Sequence, residues 1–247
     1  FTVTADDGGS RVSPISLDLR GIEVEGIKID RISAMVKILD DGVRVENLRG
    51  EVYGGALSGR VTTEGGKVKA LVQIEQASVR RAAEHVFKKK MPKATGRVNV
   101  TVSAVIDDKN NLSGWGKVRM RDANLWEVPF FSILVKAFSL GQVAGVPFSR
   151  AGCKFKIENN RLKFRDVYFK SAILGLEGVG SLYFGGRLRF RFAVRFGVTR
   201  YLPLVGDVID FIQDNLFQIL VHGTAKDPTI KTVPFRPIAE FFKSEDE

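Results

Sequence analysis

Cysteine and histidine, the residues most metal sites and many nucleophilic mechanisms need, are nearly absent from this chain. Of 247 residues, one is cysteine and two are histidine. A lone Cys153 excludes an internal disulfide and a cysteine-based metal site. It reads as a small buried hydrophobe. His85 falls in a basic helical segment and His222 in a late strand, with no further ligands at metal-binding spacing. Both therefore read as structural. No serine occupies a Gly-x-Ser-x-Gly elbow, and Cys153 has no basic partner arranged near it in sequence. Long apolar runs are missing too. The longest patch, near Phe130 to Leu140, is broken by Ser132 and Lys136, short of the roughly 18 residues that span a bilayer. The chain opens on Phe1 instead of Met, which predicts a segment of a longer protein with any signal or anchor upstream. The expectation is a protein that is not an enzyme, with no catalytic residue, no metal site and no cofactor.

Acid is the minority charge. Lys and Arg number 38 against 28 Asp and Glu, for a net charge of +10. Such an excess favours anionic partners, whether nucleic acid, acidic protein or a phospholipid headgroup layer, or it serves solubility alone. One cluster, Arg80, Arg81, Lys88, Lys89, Lys90 and Lys93, has the density to track phosphates. Nucleic-acid platforms interleave exposed aromatics with such charges, and only Phe87 is near. The cluster reads as a solvated helix face or a headgroup contact, and nucleic acid is not expected as a partner. Glycines raise one more possibility and dismiss it. Gly178-Val-Gly180 has Tyr183 where a dinucleotide fingerprint needs its third glycine, and a strand follows instead of a helix. Gly54, Gly55, Gly59, Gly114, Gly116 and Gly175 read as bulges and tight bends of a curved sheet. Asn99-Val-Thr101 and Asn111-Leu-Ser113 match the glycosylation acceptor pattern, which has meaning only in a eukaryotic secretory context.

What the chain does have is alternation. In Arg187 to Phe196, Leu188, Phe190, Phe192, Val194 and Phe196 take every second position, while Arg187, Arg189, Arg191 and Arg195 fill the alternate ones. A period of two places these sets on opposite faces of a β-strand, one aromatic and one cationic. Weaker versions recur from Ile32 to Val233, separated by turn signals such as Gly65-Gly66, Asn159-Asn160 and Gly185-Gly186. Short connections join antiparallel neighbours, so the pattern predicts a meander. The apolar faces are rich in phenylalanine, 18 against 4 Tyr and 2 Trp. They form either an ordinary core or the wall of a trough open to acyl chains.

Three segments switch to a helical period. The first has Ser78 as N-cap and carries Val79, Ala82, Ala83, Val86 and Phe87 on one side, ending in Lys88-Lys89-Lys90. The second follows Pro129, with Phe130, Ile133, Leu134, Ala137 and Phe138 at helical spacing. The third carries Val205, Val208, Ile209, Ile212, Leu216 and Phe217. These spacings predict a mainly β protein: a long curved antiparallel meander forming a trough, with about three short amphipathic helices. Residues 1–233 are read as one β domain and 234–247 as an extension and tail. Leu188, Phe190, Phe192, Val194 and Phe196 would line the trough. Phe130, Ile133, Leu134, Phe138, Val208, Ile209, Ile212 and Leu216 would cap an end or face a membrane.

Several segments resemble the AsmA-like family. Gly50-Glu-Val-Tyr-Gly-Gly-Ala-Leu-Ser-Gly-Arg-Val is similar to its glycine-rich strand pair. Gly116 to Phe131 resembles its strand-to-helix passage, with Ala123 where the family usually has glycine. Asn160 to Ser171 is similar to its late hairpin. Leu202-Pro-Leu-Val-Gly and Val221-His-Gly-Thr-Ala-Lys-Asp-Pro-Thr-Ile resemble its closing passages. The likeness runs from Val43 to Val233 and points to a C-terminal AsmA-like domain. It implies a periplasmic location with an N-terminal inner-membrane tether upstream, and a U-shaped, apolar-lined β groove. It also implies phospholipid transport toward the outer membrane, with phospholipid and the membrane surface as partners. An envelope scaffold contacting outer-membrane assembly proteins is the alternative. The family has no agreed catalytic or headgroup residues, so the resemblance assigns none.

Overall fold

The computed structural model describes residues 2–4, 15–24, 27–39, 42–137, 147–172, 174–196 and 217–234. They form fourteen strands in one open sheet whose spatial order is the sequence order, every neighbour antiparallel. The strands are β1 (Thr2–Thr4), β2 (Ile15–Val24), β3 (Ile27–Leu39), β4 (Gly42–Val52) and β5 (Gly55–Glu64). Next come β6 (Lys67–Ser78), β7 (Arg97–Ile106), β8 (Leu112–Ala123), β9 (Phe148–Glu158) and β10 (Arg161–Lys170). The last are β11 (Leu174–Tyr183), β12 (Arg187–Phe196), β13 (Phe217–Thr224) and β14 (Pro228–Pro234). Helix α1 (Val79–Phe87) follows β6, and α2 (Pro129–Ala137) follows β8. The meander is thus as the alternation predicts. Two helices lie among the described residues. The third helical segment, with Val208, Ile209, Ile212 and Leu216, falls outside them, as does Phe138, and Phe217 opens β13 instead of closing a helix.

The two ends of the sheet differ. At one, connections are short: Gly65 and Gly66 (φ 56° and 73°) and Asn159 and Asn160 (φ 50° and 55°) make two-residue hairpin turns with both residues left-handed. In the 107–111 turn, Asp107 accepts from the Lys109 and Asn111 amides at 2.9 and 2.8 Å. The Asn111 side chain also donates to it, and these bonds hold its carboxyl below the usual range. From the opposite end leave the long connections after β6, β8 and β12, so both helices sit there. The outer edge at β14 starts and finishes with proline and carries Lys231, devices that discourage further strand pairing.

One face stays apolar across the sheet. A single register row runs Leu48, Gly59, Val72, Val102, Gly116, Phe155, Phe164, Gly180, Phe190, Val221, Ile230, from β4 to β14. At about 4.8 Å per strand it covers roughly 48 Å. Among the places that break the period of two in sequence are Val45-x-x-Leu48, Ile74-x-x-Ala77 and Phe164-x-x-Val167. Each coincides with a register shift of one extra residue, a bulge that returns both apolar neighbours to the same face. The bulges carry the left-handed residues Asn47, Gln76 and Asp166 (φ 52°, 57° and 52°). The second is braced by Asn99, whose side-chain oxygen accepts from the Gln76 amide at 2.7 Å. The third is braced by Lys154 on Asp166 at 2.8 Å.

This corrects the reading of several glycines. Gly114, Gly116 and Gly175 lie in unbroken registers, so they are not bulges. Gly116 is a seat for the Phe155 ring. Gly178 and Gly180 seat Phe192 and Phe190, their cross-strand partners, whose rings occupy the space a Cβ would need. Val86 is also corrected. It is 50% exposed, because α1 turns only Val79 and Ala83 fully inward. The glycine seats generate a stability prediction. Gly180→Ala should cost about 1–3 kcal/mol in urea unfolding, by overpacking against Phe190. Gly175→Ala, where a Cβ meets only ordinary contacts, should stay within about 0.5 kcal/mol of the parent. Equal effects at the two positions would refute the seating.

Candidate functional site

The apolar face is deepest where α2 crosses it. Pro129 begins α2, a position where its missing N–H is no loss. The Ser132 hydroxyl donates to Trp126 O at 2.9 Å, and the Asn124 side chain accepts from the Trp126 amide at 3.3 Å, tying the preceding loop to the helix. This directs Phe131 and Leu134 down to near-complete burial, 3% and 2% exposed. Phe130 and Ile133 remain half-buried. The rings then form a continuous path. Phe155–Phe164, Phe164–Phe190, Phe190–Phe192, Phe192–Phe130 and Phe130–Phe131 have centroid separations of 5.6, 5.3, 5.8, 5.5 and 4.8 Å. Phe131, Phe148 and Trp126 close it beneath the helix. Such separations suit tilted and offset aromatic pairs.

Beside these rings lies a cavity of about 270 Å³. Its walls are Phe164, Val167 and Phe169 of β10, Leu188, Phe190 and Phe192 of β12, Val221 of β13, Cys153 of β9, Phe130 of α2, and Val128 just before that helix. Phe87 from the end of α1 and Ala225 and Pro228 of the last hairpin complete it. Three residues of the Arg/Phe strand, Leu188, Phe190 and Phe192, therefore come together on it. Val194 is buried in the neighbouring core, and the side chain of Phe196 lies outside the described set. The sequence reading missed Phe164, Phe169, Phe87 and Cys153 as lining residues. The signal for the first two was available, since the bulge between Phe164 and Val167 marks a phase jump of three.

Away from α2 the same face is less covered. Ile38, Val43 and Ile106 are 46%, 38% and 38% exposed, all at the short-turn end. The opposite face is cationic in its second half, with Lys117, Arg119, Lys154, Lys156, Arg165, Arg189 and Arg195 at alternating positions of β8 to β12. Lys154–Asp166, Lys156–Glu158 and Lys170–Glu177 pair there. Exposed pairs of this kind contribute little stability. His85 lies against Tyr53, with ring centroids 5.7 Å apart, and its Nε2 is 3.9 Å from Glu23. His222 lies opposite Arg189 in the register. Among the described residues no group of three or more His, Cys, Asp or Glu is placed to hold a metal ion, and no helix is long and apolar enough to cross a membrane. The chain matches no family model, no curated protein and no solved structure.

Cys153 reports on the cavity. Burial pushes its thiol up to about 11, only partly offset by a backbone hydrogen bond at Val118. The thiol therefore stays protonated at neutral pH, and the stability this lends is lost as pH rises from about 9 toward about 11. Only thiolate attacks a disulfide reagent. Labelling at pH 7.5 should thus be far slower than in the urea-unfolded chain, and should rise about tenfold per pH unit toward that value. Equal rates in folded and unfolded protein at pH 7.5 would contradict this placement.

Proposed function

We propose that this chain is a non-enzymatic lipid-handling domain that shields phospholipid acyl chains along its apolar β face. The observation that carries this reading is the unbroken apolar row from Leu48 to Ile230, which ends in a phenylalanine-lined cavity. A sheet with one greasy face normally buries it against a second layer. Here the layer consists, among the described residues, of two nine-residue helices at one end. Exposed Ile38, Val43 and Ile106 extend the greasy surface beyond them. A surface of this kind offers acyl chains a path in which no polar group needs a partner. The AsmA-like resemblance supports the same reading and adds its setting: a periplasmic domain tethered to the inner membrane, moving phospholipid toward the outer one.

The test is uptake and transfer of a fluorescent phospholipid between vesicles by delipidated protein. The parent should take up the probe. Leu188→Asp places a carboxylate at the cavity wall and should weaken uptake by about tenfold or more, since a buried charge without a partner is costly. Lys231→Glu, on the opposite face, should leave uptake intact. Absence of probe binding by the folded parent would sink the proposal.

A further inference from the structure

We propose that the cavity beside α2 takes a single alkyl chain whose anionic headgroup is held by Lys88, Lys89 and Lys90. This rests on the lipid-handling reading and specifies the ligand of that site. Three observations converge on it. The first is position: Phe87 is part of the cavity wall, and the three lysines follow it directly in the chain. Lys88 is the left-handed cap of α1 (φ 52°, ψ 37°), where the chain turns away from the helix.

The second observation is that the lysine loop is held in place. Met91 and Ala94 are fully buried beside Phe87 and Val128. The Glu84 carboxylate accepts from the Met91 amide at 2.9 Å, and Glu127 accepts from the Lys93 and Ala94 amides at 2.8 and 3.1 Å. Glu127 sits in the loop leading into α2, so the lysines are fixed relative to both helices that border the cavity. A fixed loop loses little further entropy when a ligand arrives. Glu84 and Glu127 each turn one carboxylate oxygen to backbone amides of the loop. Lys88, Lys89 and Lys90 are exposed and form no ion pair among the described residues. Arg80, by contrast, donates to Ala94 O at 3.0 Å.

The third observation is size. A volume of about 270 Å³ holds roughly nine water-sized groups and lies just under the ~300–1,000 Å³ of drug-sized sites. That is room for the greater part of one alkyl chain. Three exposed lysines that directly follow a wall residue of an apolar slot therefore favour an amphiphile with one inserted chain and a phosphate or carboxylate head.

Two twelve-carbon probes, used below their micelle concentrations, test this on the full chain: dodecyl phosphate and the uncharged dodecyl maltoside. Dodecyl phosphate should bind about tenfold tighter at low salt, and the advantage should shrink at high salt as screening grows. The triple variant Lys88→Glu, Lys89→Glu, Lys90→Glu should lose that advantage while keeping dodecyl maltoside affinity. The triple glutamine variant should fall between. Retained maltoside affinity also shows that the variants are folded. An advantage for dodecyl phosphate that survives the charge reversal would overturn the assignment. So would equal binding of the two probes by the parent, with the lipid-handling reading left standing. Inorganic phosphate that displaced dodecyl phosphate at equal concentration would mark a free-anion site and also overturn it. Failure of both probes to bind the parent would remove the lipid-handling reading together with this one.

Discussion

A slip of one residue in any of the strand pairings would carry every apolar side chain beyond it to the charged face, because side chains alternate with a period of two. Holding that phase over fourteen strands is the constraint on which the rest of the molecule depends. Left-handed turns at Gly65-Gly66 and Asn159-Asn160 set it hairpin by hairpin. Where the sequence itself slips phase, as at Val45, Ile74 and Phe164, a bulge absorbs the extra residue and the greasy row continues. The bulge residues Asn47, Gln76 and Asp166 are polar, as suits positions where the ladder opens toward solvent.

With the phase held, the next problem is filling one side of an open sheet. Glycine and phenylalanine solve it together. Gly116, Gly178 and Gly180 leave hollows that the rings of Phe155, Phe192 and Phe190 occupy. The rings lie close to the sheet and thicken its apolar layer without a second sheet. Helix α2 adds Phe130, Phe131 and Leu134 over this layer, and α1 contributes Phe87 at the margin. The cavity lies where these pieces meet. The long connections after β6 and β8 leave from the same end, so the covering elements and the lysine loop are gathered there.

The meander was legible because alternation and short turn signals are local properties of the chain. Twelve successive strands, from β3 to β14, coincide with alternating runs visible in sequence. Ser78 as N-cap was equally local, and its hydroxyl accepts from the Arg81 amide at 3.3 Å. Less legible was which apolar residues would meet. Val86 shares the helical spacing of Ala83 and Phe87 yet faces outward, because α1 is short and rests on the sheet by one side. Gly116 and Gly180 have the same neighbours in sequence whether they bend a sheet or seat a ring. The difference lies in a partner dozens of residues away or across a hairpin.

By itself, then, the sequence determined the two-faced character of this protein, its antiparallel order and the separation of cationic from aromatic surface. Those follow from a period of two and from turn chemistry, which act over a few residues. The tertiary structure decided where the apolar face becomes a cavity, and that Leu188, Phe190 and Phe192 reach it while Val194 is buried in the adjoining core. It also decided that Phe87, the residue just before Lys88, Lys89 and Lys90, lies in its wall. Those outcomes depend on cross-strand register, on the volume of rings brought together from separate elements, and on two carboxylates binding backbone amides. All three are fixed only when the strands and helices pack.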